Sequence, residues 1–412
     1  MTEETEPVIA ICGGGLAGLV LARILHKHGI KSAIYERDTS FNSRQHLGGS
    51  LDLPQESGQR ALVACGLIEE FKKDARPEGE EIRVVDRLGT TLFELEGWGP
   101  TSSRPEIDRT MLRKILLDSI PSEFVRWGHQ LTSVTPLEDG KHRLVFSGGT
   151  EVISDLVVGA EGAWSKVRSL VSDAVPDLTG LTGAGVSLSP KTVERRQDLS
   201  DRVGNGLMAC LGERKQIFAQ RQGDSRIRSY VFHVREQDDF TLPTDPVDAK
   251  KVLLGQFERF APWLRELITK ADEEAIYARS LYQLPVGFRW ESKPGVTLVG
   301  DAAHLMTPFA GEGANCALLD GMDLGLALVR SPPSEWPAAV AKFEEGMWKR
   351  AKVAAQESET NCQVYKKEDA AQIFAQQMES HMPPRIVMWA LKTGYKAFCT
   401  PWRLAAWICS FF

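Results

Sequence analysis

An α/β fold that opens on a Rossmann-type unit is predicted by three observations. An apolar strand runs into a Gly-rich turn and an amphipathic helix at the N-terminus, the same strand-turn-helix pattern returns at residues 297–305, and the stretch between them alternates like a sheet. Val8 to Cys12 form the first strand, entered through Pro7, and Leu16, Leu19, Val20 and Ile24 then recur at helical spacing as far as His28. Gly29 stands where a left-handed cap ends a helix, and residues 31–36 (KSAIYE) read as the second strand of a parallel pair. Residues 53–75 read as helix, 80–96 as paired strands about a Leu-Gly turn, and 106–120 as helix. From 181 to 280 the pattern is that of a sheet, including QIFAQ at 216–220 and RIRSYVFHV at 226–234, with one helix near 247–270. A long polar helix follows over about 334–380, until Pro383-Pro384 breaks it.

The 412 residues are enough for two to three domains, and 42% apolar with 25% charged residues is ordinary for a folded globular chain. A net charge of −6 leaves no basic field for nucleic acid. Seven scattered cysteines without a CxxC pair predict reduced thiols, with neither a disulfide framework nor a zinc site. The acidic start MTEETEPVIA lacks the basic region and long apolar core of a secretory leader, so a cytoplasmic, monomeric protein is expected. The tail from Pro384 to Phe412 is rich in Trp, Phe and Ile but interrupted by Arg385, Lys392, Lys396 and Arg403. It reads as an amphipathic helix packed on the body or, alternatively, as an interfacial membrane contact; it has no run long enough to span a bilayer.

Three motifs carry the chemistry. Gly13-Gly14-Gly15-Leu16-Ala17-Gly18 fits GxGxxG between strand and helix. Gly13 allows the tight turn, Gly15 lets a pyrophosphate approach the backbone, and Gly18 lets the helix pack on the sheet. Glu36 ends the second strand, where a carboxylate accepts hydrogen bonds from a ribose diol and repels the 2′-phosphate of NADPH. That site suits FAD or NAD. The second motif, Asp155 to Gly162 with Glu161, ends an apolar strand in a Gly-rich turn and also reads as an ordinary strand-helix corner. The third is Gly300-Asp301-Ala302-Ala303-His304, followed by Pro308, Gly311, Gly313 and Asn315. Asp301 can bond a ribitol hydroxyl, and the Gly311-Glu312-Gly313 turn opens a helix whose N-terminus favours negative charge. His304 reads first as a structural hydrogen-bonder and second as a base.

These motifs in this order resemble the class A flavoprotein monooxygenases, the family that includes p-hydroxybenzoate hydroxylase. YERD at 35–38, GGSLDL at 48–53, SGQRAL at 57–62, PEIDRTMLRKILL at 105–117 and GDAAHLMTPFAGEGAN at 300–315 look like the tetracycline-inactivating members. The resemblance spans most of residues 7–330. It implies a discontinuous FAD-binding domain over 1–75, 102–180 and 281–335, an interleaved β-sheet substrate domain over 76–101 and 181–280, and C-terminal helices over 336–412. It implies FAD as cofactor, NADPH as a transient co-substrate, and O2, with a C4a-hydroperoxyflavin oxygenating an electron-rich aromatic, enol or polycyclic small molecule. The protein would supply no metal and no catalytic side chain. FAD contacts would come from Gly13, Gly15, Leu16, Ala17, Gly18, Glu36, Arg37, Asp52, Arg109, Asp301, Gly311, Gly313, Ala314 and Asn315, with Arg44 either at FAD or NADPH or a solvated loop charge. Pro308 and Phe309 would flank the flavin ring, with Gln220, Arg228 and Tyr230 on substrate-pocket strands; period-2 alternation puts Arg228, Tyr230 and Phe232 on one face. Glu161 departs from the family's Asp. A flavin oxidase or reductase of the same fold and a biosynthetic epoxidase or hydroxylase for an indole or polyketide are the alternatives, with a non-catalytic flavoprotein as a third. Trp98-Gly99-Pro100 does not supply the WxWxIP motif of a flavin halogenase.

Overall fold

The computed structural model describes residues 9–44, 48–97, 102–138 and 140–381, except for the side chains of Arg44 and His381. Two sheets organise the chain. The first has five parallel strands in the order Val296–Leu298, Leu156–Gly159, Ile9–Cys12, Ser32–Glu36, Val125–Trp127. Its central strand is buried at every residue, as a strand covered on both faces must be. The helix Leu16–Lys27 covers it and packs in turn against the helix Gly313–Arg330. Gly321 and Gly325 permit that approach: a Cβ at Gly321 would lie 2.4 Å from the Ala17 carbonyl oxygen, and one at Gly325 would lie 2.9 Å from Ile24 Cγ2. A three-stranded antiparallel meander, Leu131–Pro136, His142–Phe146 and Glu151–Ser154, precedes the Leu156–Gly159 strand.

The second sheet has seven strands, in the order Tyr277–Gln283, Asp177–Leu188, Ile227–Val234, Lys215–Arg221, Leu207–Gly212, Ile82–Asp86, Thr91–Leu95. Only Leu207–Gly212 and Ile82–Asp86 pair in parallel. The chain therefore contributes to this sheet twice, once between the helix Ile68–Asp74 and the strand Glu106–Asp108 and once after the Leu156–Gly159 strand. One face of the sheet is covered by the helices Pro246–Gln256 and Pro262–Thr269, through Leu253, Phe257, Leu264, Leu267 and Ile268. The other face looks toward the first sheet's ligand end.

Four of the expected elements divide further. Residues 53–75 form two helices, Gly58–Cys65 and Ile68–Asp74, because Gly66 takes a left-handed cap at φ +73°. The single helix expected near 247–270 is two, the second beginning with Pro262 at a position where proline initiates. The sheet-like stretch also contains the short helices Pro190–Arg195 and Gln197–Val203. The helix expected over 334–380 is Trp336–Tyr365 followed by Ala370–His381. The break at residues 366–369 (KKED) lets Tyr365, Ala370 and Ala371 bury together against Leu211 of the second sheet. Cys12, Cys65, Cys210, Cys316 and Cys362 are buried free thiols. No helix among the described residues is long and apolar enough to cross a membrane. The C-terminal tail, with Pro383-Pro384, lies outside the described residues.

Candidate active site

A cleft of about 1690 Å3 runs from the Gly-rich turn of the first sheet to the underside of the second. At its first end the backbone is shaped for a phosphate. Gly13 has φ +112°, and a Cβ there would stand 2.3 Å from the Ala160 carbonyl oxygen. A Cβ at Gly15 would meet nothing within 4 Å, so this residue faces open cleft where a pyrophosphate needs the backbone bare. Gly18 does not line the cleft; its Cβ would lie 2.2 Å from the Gly13 oxygen, which makes it the packing glycine of the motif. Glu36 is buried beside the turn: its Oε2 accepts from Gly14 N at 2.8 Å and its Oε1 from Asp38 N at 3.0 Å.

Sequence reasoning missed Arg113. It lines the cleft four residues beyond Arg109 on the helix Arg109–Asp118, donates from Nε to the Gly14 oxygen at 3.0 Å and pairs with Glu36 at 3.4 Å. Its guanidinium also lies 6.0 Å from the Phe41 ring and 5.7 Å from the Trp127 ring. The i,i+4 repeat of Arg109 and Arg113 was the available signal, since such residues share a helix face.

At the middle of the cleft, Asp301 begins a one-turn helix, Asp301–His304, and the main chain around it is clamped from behind. Asp320, fully buried, accepts from Gly300 N at 2.9 Å, from His304 Nε2 at 2.6 Å and from Arg350 Nη2 at 2.9 Å. Burial opposes its ionisation, but His304, Arg350 and the Gly300 amide together hold its carboxyl below the usual range. His304 is thus a structural partner of Asp320, facing away from the cleft lining. Asp320 is a second residue that sequence reasoning missed: an acid inside an apolar helix carries a signal of burial, but none of what it clamps.

Glu161 lines the cleft, and its Oε1 accepts from Lys166 N and Val167 N at 2.9 Å each. The longer side chain curls back to cap the short helix Val167–Leu170. Burial pushes this carboxyl up, against the pull of those amides. Asn315 is buried outside the lining and donates from Nδ2 to the Asp52 oxygen at 3.0 Å, so it ties the helix Gly313–Arg330 to the Ser50–Asp52 strand.

Gly13, Gly15, Leu16, Ala17, Glu36, Arg37, Asp52, Arg109, Asp301, Gly311, Gly313 and Ala314 line the cleft together. Gln220, Tyr230, Pro308 and Phe309 line its far end. Arg228 does not. It is 4% exposed on the Ile227–Val234 strand, and the basic side chain that reaches the lining from this sheet is Arg279, 4.8 Å above the Tyr230 ring. The side chain of Arg44 lies outside the described residues.

Aromatic rings close the far end. Phe309 lies 5.6 Å from Phe218 and 4.9 Å from Tyr365, and Tyr365 lies 5.3 Å from Phe374. Tyr230 and Phe232 stack nearly parallel at 6.3 Å. Phe374, Gln377 and Met378 come from the helix Ala370–His381, so the C-terminal helices build a wall of the cavity.

Glu312, at the start of the helix Gly313–Arg330, is a titratable feature of this region. Burial first, and then Glu357, Glu56 and Asp52, push it from an ordinary value of 4.5 to about 7, against Arg104. A carboxyl raised in the folded state contributes stability that is complete below its unfolded value and disappears as pH rises through the folded one. Thermal unfolding midpoints followed from pH 4.5 to 7 should therefore fall less in Glu312→Gln than in the parent protein.

The bare phosphate-binding turn, the buried acid beside it and the clamped GD turn fit a bound dinucleotide, and the relatives of the chain make it an FAD-dependent monooxygenase by class. The chain belongs to the family described as FAD binding domain, which matches residues 5–331. It is 32% identical to "Monooxygenase asqM" of Emericella nidulans, over 92% of this chain and 100% of that protein. Among solved structures it is similar to Klebsiella pneumoniae HpxO complexed with FAD and uric acid, with a TM-score of 0.77 at 18% identity, covering 100% of this chain and 99% of that one. It also resembles tetracycline destructase Tet(51), with a TM-score of 0.67 at 20% identity, covering 96% and 100%. Those two likenesses show the fold.

Proposed function

We propose that the protein takes reducing equivalents from NADPH and inserts one atom of O2 into a planar aromatic or polycyclic small molecule. The observation that carries this reading is the ring-lined end of the cleft, where Phe218, Phe309, Tyr365 and Phe374 form a chain of ring contacts and Tyr230, paired directly across from Phe218, stacks with Phe232. Flat apolar walls reward a flat apolar ligand through offset and edge-on ring contacts.

The Gly13–Ala17 turn, Glu36, Arg109, Arg113 and Asp301 would hold FAD, which when bound supplies the oxygen-transfer chemistry. The residues of this chain do the rest. The Gly311–Gly313 turn puts the N-terminus of an 18-residue helix at the cleft, where its dipole favours developing negative charge. The aromatic walls exclude water from the reacting atoms. Arg279, held on the Tyr230 face, offers a cation to an acidic enol or phenol oxygen.

Anaerobic addition of NADPH to the FAD-loaded protein should bleach the flavin absorption, and a flavin that stays oxidised sinks the proposal. Tyr365→Ala removes the ring shared by three of the contacts and should raise KM for an aromatic substrate about tenfold or more, given the ~3–5 kcal/mol scale of aromatic truncation in a packed site. The rate of bleaching by NADPH alone should be unchanged.

A further inference from the structure

The wall between the aromatic end and the Ser50–Asp52 strand holds a polar assembly that FAD binding leaves unexplained. Gln220 lines the cavity, and its Nε2 donates to Glu106 Oε1 at 3.4 Å. Its Oε1 turns the other way: a Cβ built on Gly49 would stand 2.9 Å from it and 3.7 Å from the Tyr230 hydroxyl. Gly49 itself lines the cavity, and the absence of a side chain there lets the Gln220 carbonyl lie close against its backbone at the cavity wall. Glu106 is 1% exposed, and its Oε2 accepts from Arg76 Nη2 at 3.1 Å. Arg76 is fixed in turn by the Arg221 carbonyl at 2.9 Å, by Ser50 Oγ at 2.6 Å and by Asp108 Oδ1 at 3.2 Å.

We propose that Glu106 is a positioning residue that sets the polarity Gln220 presents to the substrate, so that the ionised carboxylate makes this wall select a substrate carrying an N–H or O–H donor. The inference rests on the aromatic-substrate reading above and specifies its substrate class. An ionised carboxylate only accepts, so it takes the amide NH2 of Gln220 and leaves the carbonyl for the ligand. Arg76 only donates and occupies Oε2, so a hydrogen on the Oε1 side of residue 106 faces Gln220. Such a hydrogen turns the amide over and puts NH2 into the cavity.

The groups facing Glu106 are Asp52 and Ser50 from the paired strand, Asp108 from its own strand, Arg76 from the loop after the helix Ile68–Asp74, and Gln220 from the second sheet. Burial, Asp52 and Asp108 push Glu106 up, and Arg76 and Ser50 pull it down. Lowering the pH therefore drives the assembly toward the state that Glu106→Gln holds permanently.

Indole and N-methylindole form a matched probe pair, since both are flat and neutral and only the first donates. Their binding to the FAD-loaded full chain is read from the perturbation of flavin absorption across a pH titration. The wild type should prefer indole about tenfold at the alkaline end, the scale of one hydrogen bond made against one buried acceptor left empty. That preference should decline as pH falls. Glu106→Gln should show no preference at any pH, and Gln220→Met none either. A preference that persists in either variant overturns the inference, as does a wild type that shows none or responds to neither probe. If Glu106→Gln fails to retain FAD, Gln220→Met decides alone. NADPH bleaching of the flavin reports the broader reading separately, so its failure is distinguishable from loss of indole selectivity.

Discussion

Asp320→Ala should lower the stability of the protein by about 3–5 kcal/mol, the range for removing one partner of a buried ion pair. Three donors lose their acceptor at once: the Gly300 amide, His304 Nε2 and the Arg350 guanidinium, of which His304 is almost wholly buried. The first of them fixes the turn that carries Asp301, so loss of stability and loss of FAD should appear together. Urea unfolding followed by fluorescence measures the first, and flavin content after gel filtration measures the second. Asp320→Asn separates the two effects: it retains an oxygen for Gly300 N while removing the charge that balances Arg350, and should keep more FAD than alanine at comparable stability. Equal FAD retention in wild type and Asp320→Ala would contradict the clamp.

Gly18→Val should yield folded protein that loses FAD, with affinity lower by about 100-fold or more, corresponding to ~3 kcal/mol of overpacking expressed at the turn. The added Cβ would lie 2.2 Å from the Gly13 oxygen and 3.1 Å from Ile11 Cγ2, and the first of those is backbone that cannot rotate away. The helix Leu16–Lys27 has to move outward, and its N-terminal amides leave the place where they meet a phosphate. Gly15→Ala is the useful contrast. Its Cβ meets no protein atom within 4 Å, so any loss of FAD there comes from the ligand's own space. Isothermal titration of each apo variant with FAD, with circular dichroism to verify folding, distinguishes them.

The part of the fold that local chemistry dictates was legible. Gly13 and Gly29 need positive φ, Glu36 terminates the second parallel strand, and the GD turn repeats the strand-turn-helix pattern, all of which a short window of sequence reveals. What a window cannot reveal is contact between distant elements. Residues 366–369 look like the polar surface of one continuous helix, yet the chain breaks there because Tyr365 and Ala371 gain more by burying against Leu211 than the helix gains by continuing. The same limitation hid the wall made by Phe374, Gln377 and Met378. Alternation correctly groups Arg228 with Tyr230 on one strand but says nothing about which end of the strand the cavity reaches; Arg279, from the neighbouring part of the sheet, takes the lining position. Asp320 and Glu106 were hidden for a related reason, since each acts through partners 16 to 114 residues away in sequence.

The measurement that reaches the central claim most directly is oxygen transfer itself. The FAD-loaded protein is supplied with NADPH, isotopically heavy O2 and a panel of indoles, phenols and tetracyclines, with hydrogen peroxide assayed in parallel. The account predicts at least one flat aromatic compound that accelerates NADPH consumption and gains one heavy oxygen atom. NADPH consumed with equivalent hydrogen peroxide for every compound, and no heavy oxygen in any product, would show an oxidase and contradict it.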